Sequence, residues 1–124
     1  MKTRLLCLLT MIFAISAWLL PNALAGEDTN KTVTYLIDYV AKSDLTFVRN
    51  GQDSTAKQAA EHMRQKWAYF SKKIKTPEDF ILLAATKSEL SGKLYLVRLK
   101  DGKESPAGEW LSKVLAEYRK KSSS

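Results

Sequence analysis

The 124-residue chain has one cysteine, one histidine, three prolines and five glycines, and each shortage excludes something. With Cys7 alone, no disulfide forms within the chain, so stability has to come from packing. One histidine and one cysteine leave no ligand set for zinc or another transition metal, whose structural sites draw on about four such groups. The glycines are scattered, so no glycine-rich loop is present to cradle a phosphate. Ser43, Ser54, Ser88 and Ser91 all lack the flanking glycines of a nucleophile elbow. No cofactor is expected from this inventory.

What the chain does have begins at its N-terminus. Lys2 and Arg4 are followed by a charge-free apolar stretch from Leu5 to Leu20, then by Pro21-Asn22 and the small-residue triplet Ala23-Leu24-Ala25. A basic start, an apolar middle and an A-x-A site in that order spell a cleavable secretory signal peptide over residues 1–25. As a membrane anchor the stretch is short, since sixteen residues reach only about 24 Å across an apolar core of roughly 30 Å. Cleavage after Ala25 removes Cys7 and leaves residues 26–124 as one small, cysteine-free domain with no transmembrane segment, its ends 26–31 and 122–124 loose. Losing Lys2 and Arg4 lowers the formal charge from +7 to +5. That bias suits a well-solvated surface, and it also draws an anionic partner such as a membrane surface or a cell-wall polymer. Interspersed acids and the export signal argue against nucleic acid.

Periodicity divides the mature chain into alternating elements. Val33, Leu36, Ile37 and Val40 predict a first helix over Thr32–Ser43, and Leu45–Arg49 a strand stopped by the turn pair Asn50-Gly51. A second helix, capped by Ser54 or Thr55, carries Ala56, Ala59, Ala60, Met63, Trp67, Phe70 and Ile74 on one face, with Lys66, Lys72, Lys73 and Lys75 gathered toward its end. Thr76-Pro77-Glu78-Asp79 starts a third helix running to about Lys87, with an N-cap, a proline at the first position and two acids at the positive dipole end. Leu94–Leu99 reads as a second strand closed by Asp101-Gly102, and Ser105-Pro106 repeats the cap-plus-proline start before a last helix ending near Lys121. The expected fold is helix-dominated α+β, with about four helices packed on a two-stranded antiparallel sheet. The repeated order, with Lys42-Ser43-Asp44-Leu45 matching Lys87-Ser88-Glu89-Leu90, raises a pseudo-twofold helix-strand-helix duplication against convergent helix ends. Trp67 and Trp110 fall on apolar stripes and read as core.

His62 is the one side chain able to exchange protons near neutrality, and it lies beside the apolar stripe of the second helix. A histidine there more often packs its ring and bonds a neighbour than serves as a catalytic base. The adjacent acids Glu27-Asp28 and Glu78-Asp79 fall in a loose segment and at a helix start, so neither pair calls for acid/base chemistry.

Thr46-Phe47-Val48-Arg49-Asn50-Gly51, then Ala59-Ala60, His62-Met63-Arg64, Lys66, Ile74, Thr76, Glu78, Phe80-Ile81, Ser91-Gly92-Lys93, Tyr95 and Val97-Arg98 carry a resemblance. From about Leu36 to Leu115 the chain resembles a domain-of-unknown-function family of small exported proteins of Gram-negative bacteria. The resemblance implies a periplasmic address and singles out Arg49, Asn50, His62, Arg64, Lys66, Ser88, Ser91 and Lys93; Leu94 departs from it, because members often have proline there. Ser91-Gly92-Lys93-Leu94-Tyr95 also looks like the loop of periplasmic lysozyme inhibitors, but those are disulfide-stapled β-barrels, and a basic domain is repelled by a cationic lysozyme.

The expectation is therefore a non-enzymatic binding or interaction module for an anionic envelope component or a periplasmic protein. Its candidate surface is Arg49, Asn50, Gly51, His62, Arg64, Lys66, Ser91, Gly92 and Lys93, where cationic side chains flank glycine turns with open N–H groups. The rivals are a small envelope hydrolase with His62 as base and Ser91 as nucleophile, and a structural or stress-linked envelope protein.

Overall fold

The computed structural model describes residues 27–123. The signal peptide expected over residues 1–25, Gly26 and Ser124 lie outside the described residues. Helix α1 spans Thr29–Lys42, strands β1 and β2 span Thr46–Arg49 and Gln52–Ser54, and α2 spans Ala56–Tyr69. Helix α3 (Pro77–Ala84), strands β3 (Leu96–Arg98) and β4 (Glu104–Pro106) and helix α4 (Ala107–Ser123) complete the order. The fold is helix-dominated α+β, as expected, but the sheet has four antiparallel strands in the order β2-β1-β3-β4 rather than two.

The expected strands are the central pair, with Phe47 opposite Val97. Each recruits a short polar neighbour that hydrophobic patterning does not reveal. Asn50 and Gly51 take φ of 53° and 77°, the positive values a type I′ turn demands, and so fold Gln52-Asp53-Ser54 back on β1. On the other side Pro106 pairs with Leu96 as the last residue of edge strand β4, where a missing N–H costs no ladder bond. The cap-plus-proline start expected at Ser105-Pro106 is thereby corrected. Helix α4 begins at Ala107, whose N–H donates to the carbonyl of Tyr95 at 2.8 Å.

Other boundaries shift for identifiable reasons. Asp28 caps α1 by accepting from the N–H of Lys31 at 3.1 Å, and Arg119 grips Glu27, so residues 27–31 are ordered rather than loose. Helix α2 ends at Tyr69, yet Ile74 stays buried because the N–H groups of Lys73 and Ile74 both return to the carbonyl of Phe70. Helix α3 stops at Ala84, short of Lys87, as the Thr86 hydroxyl caps the carbonyl of Ile81 and the chain turns into the sheet. At the C-terminus, Ser122 and Ser123 continue α4 instead of fraying, their hydroxyls bonded to the carbonyls of Tyr118 and Lys120. The caps at Thr55 and Thr76 form as expected, each closed into a reciprocal box, with Gln58 and with Asp79.

Among the described residues the core runs from Val33 to Leu115, with Leu36, Val40, Ala60, Phe80, Val97 and Leu111 fully buried. Ala60 apart, each of these side chains contributes about 1.5–3 kcal/mol on burial. Trp67 and Trp110 are half-buried against this core rather than inside it. Among the described residues no helix is long and apolar enough to cross a membrane.

Candidate binding site

The two faces of the sheet carry different chemistry, because residues directly opposite one another share a face. Phe47, Arg49, Gln52, Ser54 and Val97 fall on the inner face by register, Thr46, Val48, Asp53, Leu96, Arg98 and Glu104 on the outer. Beneath the β1–β2 hairpin, between that inner face and α2, lies a pocket of about 390 Å³. Its buried lining is Phe47, Ala59, Met63, Ala84, Tyr95 and Ala107, and its polar lining includes the exposed Arg49, Gln52 and Gln58 with the half-buried His62. Ala59 and Met63 are one helical turn apart, as are Gln58 and His62, so α2 offers the pocket an apolar stripe and a polar one side by side.

Arg49 closes over His62, its Nη1 2.8 Å from Nδ1 and 2.9 Å from Nε2. A guanidinium only donates, so the contact requires a neutral ring with a free lone pair. The ring is kept neutral: burial pulls the His62 pKa below its ordinary 6.5, and the charges of Arg49 and Lys66 push it the same way. Tyr95 meets His62 edge-on, with its hydroxyl 3.4 Å from Nε2. Lys66, one turn beyond His62 on α2, donates to the Tyr95 hydroxyl at 3.0 Å and to the carbonyl of Lys87 at 3.2 Å, its ammonium 5.0 Å from the ring centre.

A second cluster adjoins the first through the hairpin turn. Asn50 donates to the buried Ser88 hydroxyl at 3.3 Å and accepts from the Ser91 hydroxyl in a short hydrogen bond. The segment 88–93 is closed by Ser88 N–H to the carbonyl of Lys93 and by Gly92 N–H to the carbonyl of Ser88, both at 2.9 Å. Gly92 takes a φ of 71°, which a side chain would strain.

Of the residues singled out in the sequence, Arg49, Asn50, His62, Lys66 and Ser91 thus converge, with Gly51 and Gly92 shaping the two turns. Arg64 does not join them: it faces away from the pocket lining, 3.3 Å from Glu61 and 3.8 Å from Asp38. Lys93 contributes its backbone to the loop while its side chain is exposed. Ser91 donates to Asn50, and no hydrogen bond joins it to His62 among the described residues. Tyr95, Gln58 and Met63 were absent from the candidate surface. The usable signal was register, since Tyr95 lies two positions before the inward-facing Val97.

Among the described residues no cluster of three or more His, Cys, Asp or Glu is placed to hold a metal. A wider open groove of about 600 Å³ against Tyr35, Tyr39 and Trp110 has charged groups at its edge but no converging donors like those at Arg49. The family of unknown function DUF5329 matches residues 27–119. The chain belongs to this family. It is also 33% identical over 95 residues to the uncharacterized protein YfeK of Salmonella typhimurium, a match covering 77% of each chain. No solved structure matches it.

Proposed function

We propose that this DUF5329 protein is an exported, periplasmic, non-enzymatic binding module for a small anionic molecule with an apolar body. The observation that carries the reading is the pocket under the β1–β2 hairpin, with its apolar floor and an arginine that no carboxylate among the described residues neutralises. Its volume, about 390 Å³, falls in the range of small-molecule sites. The one acid in its lining, Asp53, is held by Arg98 through two hydrogen bonds of 2.9 and 3.2 Å. Arg49 is left with a neutral imidazole as its partner, which an incoming carboxylate or phosphate outcompetes because it brings a full opposite charge and accepts from the guanidinium through two oxygens at once. The signal-peptide pattern supports the address, and the net positive charge supports an anionic envelope component.

The reading is tested by titrating the chain from Gly26 onward with octanoate and, in parallel, with octanol, following amide shifts. Octanoate should perturb Arg49, His62 and Tyr95, and Arg49→Ala should weaken it about tenfold, the loss of one charge-assisted pair. Equal binding of octanol, or shifts confined to other surfaces, would sink the proposal.

A further inference from the structure

Three leucines stand in water: Leu90 is 99% exposed, Leu82 60% and Leu94 51%. Scattered single leucines are ordinary on protein surfaces, whereas neighbouring ones signal a contact. Leu82 and Leu94 line the same shallow groove, together with Ile81 and Pro106. Leu94 pairs with Lys87 in an isolated antiparallel bridge, so those two side chains leave the backbone on the same side. Lys93 precedes Leu94 and is exposed, and Lys66 reaches the same segment through the carbonyl of Lys87. Between them Leu90 sits at the tip of a turn whose shape is set by bonds it does not make, those of Ser88, Gly92 and Lys93 and the tie of Ser88 and Ser91 to Asn50.

We propose that segment 87–94 docks the protein on an anionic lipid bilayer surface, Leu90 entering the headgroup region while Lys87 and Lys93 meet the lipid charges. The charge pattern selects this occupant. The exposed Lys87 and Lys93 flank Leu90, with Glu89 the one acid in the segment, while along the adjoining groove Lys113 stands against Glu109 and Glu78 is already paired with Arg119. Lysines near an anionic leaflet are attracted within a Debye length, and an inserted apolar side chain adds the second signal that stable docking needs. The turn is ordered in advance by its hydrogen bonds, so little conformational freedom is lost on contact.

The chain from Gly26 onward, which contains the core of the described residues, is floated with vesicles of phosphatidylcholine alone and of phosphatidylcholine with phosphatidylglycerol. It should bind the mixed vesicles, release at about 0.5 M salt and ignore the neutral ones. Leu90→Asp should weaken binding about tenfold with no change in unfolding temperature, since Leu90 is buried by nothing in the fold. A Lys87→Glu, Lys93→Glu double variant should also lose the mixed vesicles while still binding octanoate, which separates this surface from the pocket. Equal flotation with neutral vesicles, no flotation, or undiminished binding by Leu90→Asp would each overturn the proposal. So would self-association of the wild type that Leu90→Asp abolishes without any vesicle binding.

Discussion

Arg98 and Arg49 end neighbouring central strands of one sheet, yet they live in opposite electrostatic surroundings. Arg98, on the outer face, binds Asp53 through both amino groups and Glu104 at 3.1 Å, and the hydrogen bond from Arg98 holds the Asp53 carboxyl below its usual range. Arg49, on the inner face, has a neutral histidine where Arg98 has two acids. Arg119 resembles Arg98: it grips Glu27 and Glu78 with four hydrogen bonds of 2.7–2.9 Å and ties the start of α1 and α3 to α4. An arginine surrounded by acids holds elements together, whereas one facing a neutral acceptor over an apolar pocket has no such bracing role.

The contrast is broken most severely by reversing the charge at Arg49. Arg49→Glu should lower octanoate affinity by about a hundredfold, because it both removes a donor and repels the anion. The same change should alter urea unfolding by less than about 1 kcal/mol, since only the exposed hydrogen bond to His62 is lost. Next in size, Arg119→Ala should cost about 1 kcal/mol in urea unfolding, the modest worth of a partly exposed network. It should also speed amide exchange over residues 29–33 while octanoate affinity stays the same.

Acidity provides a smaller effect of predictable sign. Because the His62 pKa is depressed in the fold, the neutral ring contributes stability above its unfolded value of about 6.5, and that contribution falls away as pH drops through the folded value. The same protonation severs the bond from Arg49 and adds a third cation beside Arg49 and Lys66. Octanoate affinity should therefore rise a few-fold as pH falls from neutrality through the folded value, and His62→Gln should flatten the profile. Smallest of all, Arg98→Ala should lower the unfolding temperature by less than Arg119→Ala does and leave octanoate binding intact. A loss of binding there as large as in Arg49→Ala would erase the distinction between the two arginines.

Much of this architecture is legible locally. Thr55, Thr76-Pro77 and Asn50-Gly51 announce caps and a turn through preferences that act within three or four residues. The stripe through Leu36, Val40, Ala60 and Met63 announces the core, because helical spacing repeats along the chain. His62 as a ring packed beside a neighbour was likewise foreseen. Strands β2 and β4 were not, since Gln52-Asp53-Ser54 and Glu104-Ser105-Pro106 carry no strand-forming pattern and are extended because a turn lays them on β1 and β3.

The amino-acid order alone determined the helix starts, the hairpin turn and which residues are apolar enough to bury. The tertiary structure decided which charges meet. Arg49 and Arg98 look alike along the chain, and only the pairing of β1 with β2 and β3 puts Asp53 beside Arg98, and only the packing of α2 against the sheet puts His62 beside Arg49. Hydrogen bonds such as Asn50 to Ser88 join residues 38 positions apart, and a contact of that kind exists only once the core has brought the two segments together.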